Sequence, residues 1–293
     1  MEQAINEKEF TKSQGLWIAI VKKLIKSNIS LLGTLIVLIF ILTAVLAPLL
    51  APYHPINDGS LVERLQAPSA SHLLGTDSQG RDILSRIIYG ARVSVQVGII
   101  SVGIALVIGT LMGMAAGFYG GWVDNLMMRL VDIMLAFPSV LLAIAITAVL
   151  GPELKNAMLA IGVVNIPAFA RIVRSTVLSV KAMEYVEAAR AIGATDVRII
   201  FRHVLPNSMA PLIVQTTLSI GTAILDAAAL SFLGLGAQPP TPEWGAMLSD
   251  GRSYLQKAPW VMFFPGMAIM LVVLGFNLLG DGLRDALDPR LKQ

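Results

Sequence analysis

Six stretches of the sequence are apolar over, or close to, the roughly 20 residues that a helix needs to cross the hydrocarbon core of a bilayer. They run over 29–50, 94–118, 130–150, 156–171, 209–235 and 258–280. The fourth is short and carries Asn165 and Pro167, and the fifth holds Asp226. The first is longer than a signal-peptide core, begins near residue 29 and leads into proline-rich sequence, so it reads as a retained span. Backbone in lipid must satisfy its own polar groups, which leaves the helix as the form for such runs. The sequence therefore predicts an all-α integral membrane protein of six transmembrane helices. Composition agrees, because 55% hydrophobic against 14% charged residues is far from a soluble average.

Lysine and arginine near span ends collect on the cytoplasmic side. With the N-terminus inside, 15 of the 22 fall on inner segments, among them Lys8, Lys12, Lys22, Arg174, Arg290 and Lys292. Both termini are therefore predicted cytoplasmic. The formal charge of +3 is too small and too scattered for a nucleic-acid binder. The chain has no cysteine, and His54, His72 and His203 are far apart, so thiolate chemistry is excluded and a histidine metal cage is not expected. In the first outer loop, His54 and His72 are read as solvated or loop-stabilising.

Two substantial loops then lie outside, at 51–93 and 236–257. The second contains Pro239, Pro240 and Pro242 before Trp244, and three prolines in four positions preclude a regular helix. Two readings stay open: a stiff connector between spans, or an outer gate and docking surface for a partner. The inner segment 172–208 is patterned differently. Tyr185, Ala188, Ala189 and Ile192 recur at helical spacing, as do Val197, Ile200, Phe201 and Val204. Gly193 is free to turn the chain, Thr195 suits an N-cap, and Pro206 is expected to stop the second helix. The prediction is helix, tight turn, helix, with Glu187, Arg190, Arg198 and Arg202 exposed.

Glu187-Ala188-Ala189, then Gly193, then Leu205-Pro206 resemble the signature loop of the membrane subunits of binding-protein-dependent, type I ATP-binding-cassette importers. His203 stands where an aliphatic residue is usual, although peptide permeases look similar there. Leu74-Gly75-Thr76-Asp77, Gly80-Arg81-Asp82, Ser85-Arg86, Trp244-Gly245, Gly280-Asp281-Gly282-Leu283-Arg284-Asp285 and Leu287-Asp288-Pro289 extend the likeness over most of the chain. Within that class the chain is most similar to second membrane subunits of dipeptide permeases. Relatives that carry oligopeptides, glutathione, nickel, haem or 5-aminolevulinate share the framework.

The resemblance implies a cytoplasmic N-terminal segment 1–28, a first span 29–50, an outer loop 51–93, and a core 94–280. That core holds a coupling loop 184–206, and a cytoplasmic tail 281–293 follows. It implies a bacterial inner membrane location, a second homologous permease subunit, two ATP-binding subunits and an extracytoplasmic peptide-binding protein. Glu187, Ala188, Ala189, Gly193, Leu205 and Pro206 would couple this chain to an ATP-binding subunit. The alternative for the loop is an amphipathic helix resting on lipid headgroups. The sequence has no Gly-Lys pair of the kind a P-loop requires, so ATP and magnesium are expected on partner subunits, no cofactor on this chain, and no enzymatic role for it.

Gln215, Ser219, Thr222 and Asp226 form a polar stripe on span five and are the candidate translocation residues. The residues alone leave open whether Asp226 lines the route or is a carboxyl bonded within the bundle. Ala105, Gly109, Gly113 and Gly117 form a small-residue ridge for close helix packing. Asn165, Pro167 and Asn277 read as bend or interhelical bonding positions. A proton-driven transporter using Asp226 and Asp132 is the alternative of a different class, but it leaves the Glu187–Pro206 pattern without a purpose.

Overall fold

The computed structural model describes residues 23–287. Lys8, Lys12, Lys22, Asp288, Pro289, Arg290 and Lys292 lie outside the described residues, so segments 1–28 and 281–293 are seen only in part. Among the described residues there is no strand, only an isolated bridge between Thr76 and Asp82. Five helices are long and apolar enough to cross a membrane, and a bent pair makes a sixth crossing when its two arms are taken together.

Helix α1 (Asn28–Val45) is capped by the Ser27 hydroxyl, which accepts from the Ser30 amide, and ends at Leu46. A four-residue turn α2 (Ala47–Leu50) follows with proline in its first positions, so the predicted span 29–50 is interrupted rather than continuous. Helix α3 (Ile83–Tyr119) has 37 residues, about 55 Å at 1.5 Å per residue, far beyond the thickness of the hydrocarbon core. It begins at Ile83 and not near Ser94. Asp82 accepts from the Ser85 amide as its N-cap, and the charged first turns are buried in protein, so no uncharged run marks them in the sequence.

The third predicted span, 130–150, is in fact two helices, α4 (Gly121–Leu135) and α5 (Ser139–Leu150), bent by 91°. Pro138 causes the break: it removes an amide and disfavours helical backbone at Phe137. Helix α6 (Leu154–Lys181) runs ten residues past the predicted end at Arg171. After the inner loop come α9 (Leu205–Phe232) and a short outer helix α10 (Trp244–Gly251). The last helix, α11 (Trp260–Leu287), carries the first part of the predicted tail as helix.

The predicted glycine ridge is an observed contact. A Cβ on Gly109, Gly113 or Gly117 would meet α6 backbone or the Cβ atoms of Phe169, Val173 and Val177, so α3 and α6 approach at backbone distance. Gly33, Gly275 and Gly282 play the same part between α1 and α11.

Candidate functional site: coupling loop, membrane groove and outer cap

The inner loop folds as helix, turn, helix. Helix α7 (Glu184–Ala191) is followed by Gly193 at φ +83°, a conformation that disfavours side chains bearing Cβ. The Thr195 hydroxyl then accepts from the Arg198 amide and caps α8 (Asp196–Ile199). Each apolar stripe is divided between an inward and an outward side. Val186 and Ala189 face the bundle from α7, and Ile199 and Val204 from the second arm. Ile192, Val197 and Phe201 are left outside, at 87%, 63% and 62% exposure, beside exposed Glu187 and Ala188.

Pro206 does not stop the second arm. The turn Ile200–Val204 is widened, with the Leu205 amide donating to the carbonyl of Ile200, five residues back. This widening carries Pro206 into the first turn of α9, where a missing amide costs little, and Asp196–Phe232 runs on as one helix of 37 residues. His203 faces Tyr185 across the turn with ring centroids 5.7 Å apart, and Asn207 reaches both the Tyr185 hydroxyl and the His203 carbonyl. The residue that departs from the usual pattern therefore ties the two arms together.

Contacts that sequence spacing did not disclose tie the loop and the adjoining end of α6 to α3 and α4. Lys181 Nζ donates to the Phe118 carbonyl at the inner end of α3 (2.6 Å), and the Arg190 guanidinium lies 5.3 Å from the Phe118 ring centroid. Arg174 grips Asp124 of α4 through two hydrogen bonds of 2.5 and 2.6 Å, and Arg171 reaches Asp132 at 2.7 Å. Asp132, the second carboxylate of the proton-coupled alternative, is thus the partner of an arginine.

Gln215, Ser219, Thr222 and Asp226 share one cavity of about 500 Å³ with Ser139, Asn165 and Asn277. Gln215 Nε2 donates to Ser219 Oγ at 3.0 Å. The two asparagines, read from sequence as bend or interhelical bonding positions, line this cavity with the stripe. A second cavity of about 570 Å³ continues toward the inner end of α9, sharing Gln215 and Leu218 with the first and ending at Asn207 and Arg284. The groove thus runs from Asp226 to the foot of the helix that begins at the coupling turn.

The outer loops form a cap over α3 and α9. Asp77 accepts from the amides of Gln79 and Arg81 and from Arg81 Nε at 2.7 Å, while Arg86 Nη1 donates to the carbonyls of Pro55 and Pro240. His72 is buried with Nδ1 3.0 Å from Asp82, and His54 Nδ1 accepts from the Ile56 and Asn57 amides, so both histidines stabilise the loop. Pro239 and Pro240 are exposed, but Pro242 is buried and Trp244 is 2% exposed, with its Nε1 donating to the Ile87 carbonyl. Trp244 and Pro242 are therefore seated in the cap and do not form its outer surface. Glu243 caps α10 by accepting from the Gly245 and Ala246 amides; burial pushes its carboxyl up despite those bonds.

A bundle of membrane-length helices with an exposed helix–turn–helix loop at one end, a polar groove and a folded cap at the other has the form of a membrane transport subunit. Residues 105–293 match the family described as binding-protein-dependent transport system inner membrane component, and residues 15–68 match the N-terminal transmembrane domain of oligopeptide transport permease C. The dipeptide transport system permease protein DppC of Alkalihalophilus pseudofirmus is 58% identical over 278 residues, 94% of this chain and 90% of that protein. The di/tripeptide permease protein DppC of Pseudomonas aeruginosa is 53% identical, covering 89% of this chain and 88% of that protein. The glutathione permease protein GsiD of Pectobacterium atrosepticum is 48% identical, covering 94% and 92%. In structure, a chain of the inward-facing MetNI methionine ABC transporter aligns with TM-score 0.56 at 21% identity, covering 70% of this chain and 98% of that one. The chain belongs to the family of inner-membrane components of binding-protein-dependent, ATP-binding-cassette importers. In this family the membrane subunit is not itself the ATPase.

Proposed function

We propose that the chain is one of two homologous permease subunits that pass dipeptides and other small peptides through the bacterial inner membrane. An extracytoplasmic binding protein delivers the peptide at the cap, and two ATP-binding subunits, carrying ATP and magnesium, act on the loop 184–206 from the cytoplasm. Both termini then lie inside. The observation that carries this reading is the apolar surface left outside the bundle at Ile192, Val197 and Phe201, next to small Ala188 and the Gly193 turn. An apolar face of this kind beside small residues permits close seating of another protein, and Glu187 supplies a charge for a specific pair.

Closure of the ATP-binding subunits would move α7 and α8, and with them the groove-lining helix that starts in the same turn. The two membrane states are then populated according to what is bound on either side. The identity to dipeptide and di/tripeptide permeases over most of the chain supports the cargo class. Reconstitution with the partner subunits tests it: ATP-dependent uptake of di- and tripeptides should exceed that of longer peptides, glutathione and nickel. Crosslinks from Ala188→Cys should reach a nucleotide-binding subunit, and exclusive labelling of lipid refutes the coupling role.

A further inference from the structure

The membrane groove has an electrostatic order that the transport assignment does not by itself require. Asp226 is half-buried on α9, and the other residues lining its cavity are neutral: serine, threonine, asparagine, glutamine, leucine and valine. Among the described residues no cation pairs with it. An ionisable group at membrane depth is costly unless it meets water, a partner or a passing ligand. The nearest positive charge lining the continuous groove is Arg284, at the inner cavity beside Asn207. Asn207 precedes Asp226 by 19 positions, about 28 Å along the helix, beyond electrostatic reach under physiological salt.

We infer that Asp226 is a transit site for an ammonium group, so that peptides with a free amino end pass this point while paired to its carboxylate. The inference rests on the peptide-permease reading and names the chemical group that reading leaves unspecified. A single carboxylate suits transit better than a cluster, because conduction requires binding strong enough to enter and weak enough to leave. The polar neighbours Gln215, Ser219 and Thr222, at i−11, i−7 and i−4, continue the same face inward and offer hydrogen bonds to the peptide backbone without further charge. The inner cavity meets the cargo with Arg284, of the sign that suits a carboxylate.

The cysteine-free chain allows a direct test on the assembled transporter in vesicles. Thr222→Cys places a thiol one turn from Asp226, and Ala210→Cys places one in the inner cavity. Modification rates are measured with a trimethylammonium and a sulfonate methanethiosulfonate reagent of similar size. At position 222 the cationic reagent should be favoured about tenfold over its ratio at position 210, and Asp226→Asn should remove that preference while Asp226→Glu keeps it. Alanylalanine should slow the cationic reagent at position 222, and its N-acetylated form should not. Because each ratio is taken within one variant, a loss of assembled protein cancels.

An unreactive thiol at 222, a ratio unaffected by Asp226→Asn, or equal protection by both peptides overturns the inference. An unaffected ratio is also the result expected if the second subunit already neutralises Asp226. Peptide uptake by the same vesicles reports on the permease reading separately, so either idea can fail without the other.

Discussion

Two glycines ten residues apart on α3 should respond to the same substitution with opposite signs. A Cβ on Gly113 falls 2.8 Å from the Val173 Cβ and 3.0 Å from the Arg174 amide nitrogen, and meets the Ala170 carbonyl as well. Two of these three atoms are backbone, so no rotamer change relieves the contact. Restoring ordinary van der Waals distance moves α3 away from α6 by about 1 Å, and overpacking of this kind costs about 1–3 kcal/mol. Gly103→Ala meets nothing within 4 Å. There the only effect within the chain is the gain of alanine over glycine in a helix, about 0.5–1 kcal/mol.

Thermal unfolding of the purified chain in detergent should therefore place Gly113→Ala a few degrees below the parent and Gly103→Ala at or above it. Gly109→Ala and Gly117→Ala should fall with Gly113→Ala, since each faces α6 in the same way. Equal shifts for positions 103 and 113 would show that α3 and α6 do not pack at backbone distance.

Other outcomes follow from the cap and the coupling turn. Trp244→Phe keeps the packing against Phe40 but loses the hydrogen bond to the Ile87 carbonyl, which should cost about 1 kcal/mol; Trp244→Ala should cost about 3–5 kcal/mol, both read from unfolding midpoints. Burial raises the Glu243 carboxyl above its ordinary value of 4.5, so the folded cap holds that proton more tightly than the unfolded chain. Its contribution is greatest below the ordinary value and is lost as pH rises through the raised one, and Glu243→Gln should flatten that part of the stability profile. At Gly193, where a Cβ meets nothing within 4 Å, Ala should cost about 1 kcal/mol through backbone strain alone and Asn less. ATP-coupled uptake should rank Gly, Asn, Ala; equal losses for Asn and Ala point to contact with the ATP-binding subunit as the cause.

Much of the architecture was legible because lipid imposes length and apolarity on every crossing. The same rule hid the ends of helices. The turns holding Ser85 and Arg86 are charged or polar yet helical, since protein and not lipid surrounds them. It also concealed the bend at Pro138: an apolar stretch of the right length looks like one crossing, and only the Phe137-Pro138 step marks the break. In the coupling loop the spacing gave the helices and the turn. It did not tell inward from outward, because a surface meant for another protein carries the same apolar residues as a surface meant for the core, and the inward Val186 and Ile199 lie off the spaced stripes. At Trp244 the residue types left connector and docking surface equally open, because only the fold shows that its indole, at the start of α10, is buried against Ile87 of α3.

The unbroken run from Asp196 to Phe232 has a consequence for how little the motor must do. Asp226 stands 30 positions from Asp196, about 45 Å along the axis. If that rod pivots at its cytoplasmic foot, a swing of about 10° sweeps the carboxylate sideways by about 8 Å, roughly the length of a dipeptide. A small angular change at the base is thus magnified, by geometry alone, into a displacement on the scale of the cargo.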